Sequence, residues 1–144
     1  MTEHIERRIY PYLPEDAVYI RTEVFIKEQG FQNEFDTFDE QTDTALHLVL
    51  YDSEKPAATC RIVPMEDGGY RIGRIAVLRP YRGLGLGRIL IEEAEKCISL
   101  RGAKKISISA QVRVKGFYEK MGYHCVGQEY PDEGRPHILM IKKD

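Results

Sequence analysis

The stretch RPYRGLGLGRILIEEAEKC, residues 79–97, decides how the rest of the chain is interpreted. It places an arginine and three alternate glycines directly before a segment whose apolar residues recur at helical spacing. Arg101 followed by Gly102 is a usual helix end. The stretch therefore predicts a glycine-rich loop that leads into an amphipathic helix from Gly87, with one apolar face formed by Leu90, Ala94, Cys97 and Ile98.

Such a loop favours anion binding. The first N–H groups of a helix have no partner within the helix, and the helix dipole is positive at that end. Glycines at 83, 85 and 87 allow the backbone to approach a ligand closely, and Arg82 and Arg88 add positive charge. These features predict a diphosphate site. The alternative is that the glycines only form a turn and the arginines are solvated.

Two well-known phosphate motifs are excluded. A P-loop requires G-x-x-x-x-G-K-[ST], and no lysine in this chain is followed by serine or threonine. A dinucleotide fingerprint requires G-x-G-x-x-G, but the last position is Arg88 when counted from Gly83 and Leu90 when counted from Gly85. Neither an NTPase nor a nicotinamide-dependent dehydrogenase is indicated.

Length and composition are typical of one globular domain. The chain has 144 residues, of which 42% are hydrophobic and 31% charged, and its net charge is −2. We expect a single domain over residues 1–144, with no broad basic surface for nucleic acid and no membrane segment. The N-terminal MTEHIERRIYPY has no apolar signal region, so we expect a cytoplasmic protein.

Cysteine and histidine spacing indicates no metal site. The three cysteines form no C-x-x-C pair, and the four histidines show no ligand spacing. We expect no disulfide, and thiols that are free and buried. The cysteines are Cys60, Cys97 and Cys125, and the histidines are His4, His47, His124 and His137.

The order of elements predicts an α/β fold with a mixed, mostly antiparallel sheet. Three β runs separated by turns form a meander, and one strand, helix, strand crossover follows. The predicted strands are 5–10, 45–51, 57–63, 70–78, 104–110, 123–129 and 137–143, and the predicted helices are 15–30, a short helix or ordered loop with Phe31, Phe35 and Phe38, the helix from 87 and the short helix 114–121.

Two blocks resemble the GNAT superfamily of acetyl-CoA-dependent N-acetyltransferases. RGLGLG, residues 82–87, matches the family signature R/Q-x-x-G-x-G/A, and GFYEKMGY, residues 116–123, is similar to the short helix that carries the family's tyrosine. The segments at 24–31, 109–111 and 136–140 look like a small bacterial ElaA-like and YjcF-like branch. The resemblance implies a GNAT-like central sheet in which the fourth and fifth strands splay apart, with flanking helices.

The resemblance also implies where acetyl-CoA binds. The pyrophosphate would lie on the signature loop, and the pantetheine arm would pair with the end of the fourth strand like an added strand. The thioester carbonyl would face a backbone N–H near Val77. Gln111 stands where many members have an asparagine that contacts the coenzyme arm. The implied cofactor-binding residues are Ile75, Ala76, Val77, Arg82, Gly83, Leu84, Gly85, Leu86, Gly87, Arg88 and Gln111.

Three side chains are the catalytic candidates. Tyr118 matches the family tyrosine that protonates the departing thiolate, and a phenol with a pKa of about 10 keeps its proton at neutral pH. An amine acceptor must lose a proton, and Glu28 and His137 lie where the fold implies the acceptor cleft. Each also has an ordinary interpretation, as a solvated surface glutamate and a hydrogen-bonded histidine. Arg74 would bind a substrate carboxylate if it points into the cleft, but strand alternation does not fix its direction.

These observations predict an enzyme that transfers an acetyl group from acetyl-CoA to a primary amine by direct attack in a ternary complex. The acceptor would be a small molecule or a peptide, and no metal would be needed. The alternative is a catalytically silent coenzyme A binding or sensing module, since the phosphate loop would be the same in both. The last two predicted strands could pair between two copies of the chain, so a homodimer is possible.

Overall fold

Seven strands form one sheet in the computed structural model, which describes residues 4–40 and 45–142. The strand order is β1-β2-β3-β4-β5-β7-β6. The strands are β1 (Ile5–Tyr10), β2 (Leu46–Asp52), β3 (Lys55–Pro64), β4 (Tyr70–Val77), β5 (Ile106–Gln111), β6 (Tyr123–Asp132) and β7 (Arg135–Lys142), and the α-helices are α1 (Glu15–Arg21), α2 (Thr37–Glu40), α3 (Leu86–Leu100) and α4 (Lys115–Lys120).

The topology confirms the predicted mixed sheet. Strands β1 to β4 pair antiparallel in sequence order, β4 pairs parallel with β5, and β7 lies between β5 and β6. The β2–β3 turn places Ser53 and Glu54 at φ +49° and +78°. Positive φ at both central residues is the geometry of a two-residue hairpin turn whose twist matches the flanking strands.

Strands β4 and β5 diverge after a short parallel contact. They pair only from Tyr70 with Ile106 to Ile72 with Ile108, whereas β4 continues to Val77. A bulge shifts the β3–β4 register between Thr59 and Arg61, and Arg74 within it has φ +50°. A bulge bends the strand that carries it. The second half of β4 therefore leaves β5, which confirms the predicted splay.

Each face of the sheet carries its own apolar core. Helix α3 covers one face with Leu90, Ala94 and Ile98, which are fully buried against the strands as the periodicity predicts. The fourth predicted member of that stripe, Cys97, is only partly buried. The opposite face is covered by α1 and the segment that follows it, over β2, β3 and the end of β4. That second core contains Ala17, Ile20, Val24, Phe25, Phe31, Val49, Tyr51, Ala76 and Leu78.

The first helix differs from the prediction. The sequence predicts one helix over 15–30, but α1 ends at Arg21 and the chain continues as a π-helix over Thr22–Glu28. The wider turn lets two consecutive apolar residues, Val24 and Phe25, both enter the core. A π segment is rare and is often found at functional sites. A hydrophobic period of about 3.6 residues predicts an α-helix and does not distinguish a π-helix from it.

The remaining differences concern lengths and cysteines. The closing hairpin is longer than predicted because Glu133 and Gly134, at φ +53° and +76°, form a tight turn that lets both strands continue to it. The fifth strand and the last helix shift by one or two residues. The expectation of three buried thiols holds for Cys60 alone, since Cys97 and Cys125 are partly exposed.

Candidate active site

A cavity of about 890 Å³ opens where β4 and β5 separate. Val114 and Phe117 lie on the α4 side of it. It brings together predicted residues from six places along the chain. Those that line it are Glu28, Ile75, Ala76, Val77, Arg82, Gly83, Gly87, Gln111, Tyr118 and His137.

The glycine-rich loop leads into α3, as the sequence predicts, and two of its glycines have positive φ. Gly83 and Gly85 have φ +80° and +83°, a conformation that side chains strongly disfavour. A Cβ on Gly87 would lie 3.3 Å from the ring of Phe117, so this glycine permits close packing of α3 against α4. No side chain caps α3. Its first N–H groups therefore remain available to an anion.

Not every residue predicted in this loop lines the cavity. Leu86 is buried in the core beneath α3, and the Leu84 side chain is exposed. The Arg88 guanidinium pairs with Glu92 at 3.2 Å on the outer face of the helix. Leu84, Gly85, Leu86 and Arg88 do not line the cavity. The predicted contact of these four residues with coenzyme A stays a prediction, and it concerns their backbone N–H groups.

Arg82 connects three elements around the cavity. Its Nε donates to the Val77 carbonyl at 2.9 Å, and its two terminal nitrogens donate to the Glu28 carboxylate at 2.9 and 2.8 Å. The hydrogen bond from Arg82 lowers the pKa of Glu28. Glu28 is therefore an ionised partner of the loop at neutral pH, and the pairing disfavours proton uptake by it.

Tyr118 presents its hydroxyl to the cavity. The side chain is 6% exposed and packs edge to face against Phe117 and Tyr123. Within residues 4–40 and 45–142 its hydroxyl has no hydrogen-bond partner. Burial raises the pKa of Tyr118 well above its ordinary value. The phenol keeps its proton and has a free hydrogen-bonding position toward the cavity.

Gln111, at the end of β5, hydrogen-bonds to side chains on both sides of it in the cavity wall. Its amide nitrogen donates to the Gln29 side-chain oxygen at 2.9 Å, and its own oxygen accepts from Arg113 Nε at 3.0 Å. Both ends of the amide thus have protein partners. A contact between Gln111 and a coenzyme arm would have to replace one of these hydrogen bonds.

His137 lies beside Gln111 in the β5–β7 register and is 6% exposed. Its Nδ1 is 2.8 Å from the Arg135 carbonyl. A carbonyl only accepts, so Nδ1 carries the hydrogen and Nε2 keeps its lone pair in the neutral ring. The ring stacks on Tyr130, whose hydroxyl contacts Ser109. The imidazole is therefore fixed in the tautomer that a general base needs.

A buried charge network, which sequence analysis did not predict, closes the opposite end of the cavity. Arg21 is 1% exposed and donates to Glu34 at 2.7 Å and to Asp39 at 2.8 and 2.9 Å. Burial alone would raise the pKa of Asp39, but the hydrogen bonds from Arg21 hold it well below its usual range. This network attaches the loop that follows the π-helix to the sheet.

Two further arginines belong to the same network. Arg61 donates to Asp36 at 2.6 Å and to Asp39 at 3.1 Å. Arg74 points into the cleft, the direction that alternation left open, but it donates to the Glu34 carbonyl at 3.1 Å and to Asp36 at 3.2 Å. Its charge is therefore already paired within the protein, which disfavours the predicted contact between Arg74 and a substrate carboxylate.

Arg71 is a cavity residue that sequence analysis did not single out. Its Nε is 3.1 Å from the Ser107 hydroxyl on β5. Along the part of the chain that the structure describes, no carboxylate lies within 4 Å of its guanidinium. The sequence signal that could have found Arg71 is its position near the start of the predicted fourth strand, the strand that is expected to splay away from the fifth.

Two negative findings concern metals and membranes. In the described ranges, no group of three or more histidine, cysteine or acidic side chains is arranged to hold a metal ion. None of the helices in these ranges combines the length and the apolar character needed to cross a bilayer.

Comparison with known proteins gives the family. Residues 12–143 match the family model described as Acetyltransferase (GNAT) domain. This chain belongs to the GNAT acetyltransferases. It is 39% identical over 128 residues to the uncharacterised N-acetyltransferase YjcF of Bacillus subtilis, a match that covers 88% of this chain and 90% of YjcF.

Solved structures agree with the GNAT assignment. A protein of Lactobacillus plantarum superposes with a TM-score of 0.88 at 30% identity, over 97% of this chain and 98% of the other. ElaA of Escherichia coli superposes with a TM-score of 0.84 at 26% identity, over 96% and 99%. The predicted resemblance to small bacterial YjcF-like and ElaA-like GNAT proteins is confirmed.

Proposed function

We propose that this GNAT protein transfers an acetyl group from acetyl-CoA to a primary amine by direct attack in a ternary complex. GNAT proteins use acyl-CoA as the acyl donor. The observation that carries the proposal is the Tyr118 hydroxyl, which is protonated, has no partner in the described residues, and faces the cavity between the splayed strands.

The backbone around Val77 supports a place for the thioester. The Leu78 N–H donates to the Ala57 carbonyl of β3 at 2.9 Å. Because N–H groups alternate along a strand, the Val77 N–H points away from β3, toward the cavity. The Val77 carbonyl points the same way and accepts a hydrogen bond from Arg82. The N–H of Val77 is thus suited to stabilise negative charge that develops on the thioester oxygen.

The coenzyme would lie across the splay. Its pyrophosphate would bind the free N–H groups at the start of α3, and its pantetheine arm would run beside Ile75–Val77 as an added strand. Beside this arm, Gln111 would exchange its contact with Gln29 or Arg113 for one to the coenzyme.

The reaction needs two proton transfers. The amine nitrogen attacks the thioester carbon, the C–S bond breaks, and the departing thiolate takes the Tyr118 proton. The attacking nitrogen loses its proton to a base. His137 suits this role because its Nε2 lone pair is available, whereas Glu28 is engaged with Arg82. No covalent enzyme intermediate is required.

The direct test is release of free thiol from acetyl-CoA when the purified protein is offered a pool of primary amines. We expect amine-dependent thiol release and a matching acetylated amine by mass spectrometry. Initial-rate plots should intersect, since a ternary complex forms; parallel plots would indicate a covalent intermediate instead. Binding of coenzyme A with no amine-dependent turnover would support the silent binding module.

A further inference from the structure

The cavity contains a cation, Arg71, that has no ion-pair partner among residues 4–40 and 45–142. In the buried network, three guanidinium groups (Arg21, Arg61, Arg74) face three carboxyl groups (Glu34, Asp36, Asp39). The nearby His47 is neutral at pH 7, since burial lowers its pKa to about 4. The network is therefore balanced at three charges of each sign, and Arg71 lies outside it.

Arg71 is held in a definite position. Its Nε contacts the Ser107 hydroxyl at 3.1 Å, and this leaves the two terminal nitrogens of the guanidinium for a ligand. Val63 lies directly opposite Arg71 in the β3–β4 register and is buried. Met65 and Phe38 also line this end of the cavity. A fixed guanidinium fork beside apolar side chains suits a planar carboxylate.

We propose that Arg71 binds a carboxylate of the acceptor, so that the substrate of this GNAT protein is an amine that carries a carboxylate at the far end of an apolar spacer. The inference rests on the proposed function, because it assumes that the amine is acetylated beside Tyr118. It assigns the carboxylate to Arg71 and not to Arg74, which is already paired with Glu34 and Asp36.

The distance along β4 between Arg71 and Val77 determines how far apart the amine and the carboxylate of the acceptor must be. Val77 lies six positions after Arg71, which is at most roughly 20 Å of strand at about 3.3 Å per residue. The arginine side chain and the acetyl arm cover part of this span. An α-amino acid, whose amine and carboxylate share one carbon, is too short to reach both ends. An ω-amino acid, or a lysine side chain in a compound with a free carboxylate, is long enough.

The test compares two acceptors that differ only in charge, 6-aminohexanoate and 6-aminohexanamide. A hydrogen bond to a charged group corresponds to about 10- to 100-fold in affinity. We expect wild-type kcat/KM to favour the carboxylate by that factor. Arg71→Gln should abolish the preference for the carboxylate over the amide, and Arg71→Lys should keep part of it. The control is Arg7→Gln on β1, where the arginine pairs with Glu93.

A second readout does not need turnover. Calorimetry measures binding of the two products, 6-acetamidohexanoate and its amide, to the protein loaded with coenzyme A. Equal use and equal binding of carboxylate and amide, or a preference that survives Arg71→Gln, would overturn the inference while leaving the proposed function intact. If the carboxylate product binds more tightly through Arg71 but neither amine is acetylated, the carboxylate site stands and the ω-amino acid substrate is overturned, while the proposed function is decided separately by the amine pool.

Discussion

Arg82 and Glu28 form a bidentate ion pair, with nitrogen to oxygen distances of 2.9 and 2.8 Å, that joins the glycine-rich loop to the end of the π-helix. The same guanidinium donates to the Val77 carbonyl. The pair therefore fixes the loop relative to the end of β4, the two places where the proposal puts the pyrophosphate and the thioester.

This ion pair predicts a binding role for Glu28. Glu28→Gln should raise the KM for acetyl-CoA several-fold, because the loop loses a positioning contact, while the pH profile of kcat keeps its basic group. Glu23→Gln is the control, since Glu23 lies in the same π segment and pairs with Lys27. A fall in kcat of about 10² or more, with loss of the ionisation from the profile, would identify Glu28 as the base instead.

Tyr118→Phe keeps the ring and removes the proton donor. We expect kcat to fall by about 10² to 10⁴, while affinity for acetyl-CoA changes by no more than a few fold. Because burial raises the pKa of Tyr118, wild-type kcat should not lose its acid until the pH exceeds the ordinary range of a phenol.

The matched control for Tyr118 is Tyr123→Phe. Tyr123 is also buried, but its hydroxyl donates to Glu95 at 2.7 Å and does not line the cavity. We expect this variant to lower thermal stability and spare kcat. A Tyr118→Phe enzyme with near wild-type turnover would mean that water or the attacking ammonium protonates the thiolate.

Gly85→Asp tests the phosphate loop. The aspartate adds a side chain at φ +83° and a negative charge beside the free N–H groups of α3, so coenzyme A binding measured by calorimetry should weaken. Gly102→Asp introduces a comparable strain at φ +81° at the other end of α3 and should leave the affinity unchanged. Wild-type affinity in the Gly85 variant would place the coenzyme elsewhere.

His47 predicts a pH dependence of stability. Burial, together with the charge of Arg21, lowers the pKa of His47 to about 4, and within residues 4–40 and 45–142 its Nε2 has no hydrogen-bond partner. Between pH 6.5 and 4 the unfolded chain binds this proton and the folded chain does not, so stability falls as the pH falls through that window. The lost free energy of unfolding is roughly 1 to 3 kcal/mol.

The measurement is urea unfolding of wild type and His47→Gln at pH 7 and pH 4.5. The variant should lose less stability than wild type over this interval, because it has no imidazole to protonate. His124→Gln, at an exposed position on β6, should behave like wild type. Parallel losses in His47→Gln and wild type would show that other groups carry the acid sensitivity.

The absence of metal-ligand spacing in the sequence predicts that activity does not depend on a metal ion. Acyl transfer to an amine does not require a Lewis acid, so treatment with EDTA should leave the rate unchanged. Activity that is lost with EDTA and restored by a divalent cation would contradict this prediction.

Local signals fixed much of the fold and part of the site. The alternate glycines from 83 to 87 predicted a loop before a helix, and the apolar period of α3 predicted its buried face. Strand alternation predicted the meander. These features depend on residues close together in the chain, so one sequence was sufficient for them.

Tertiary packing decided the rest. The π segment after Arg21 depends on how two apolar residues enter one core, and the pairing of Glu28 with Arg82 joins residues far apart in the chain. The direction of Arg74 depends on a bulge opposite Cys60, because an inserted residue changes which face the side chains from that point occupy. Sequence alone therefore placed the glycine-rich loop and Tyr118, while the pairing of the charged side chains around the cavity was set by contacts that only the folded chain creates.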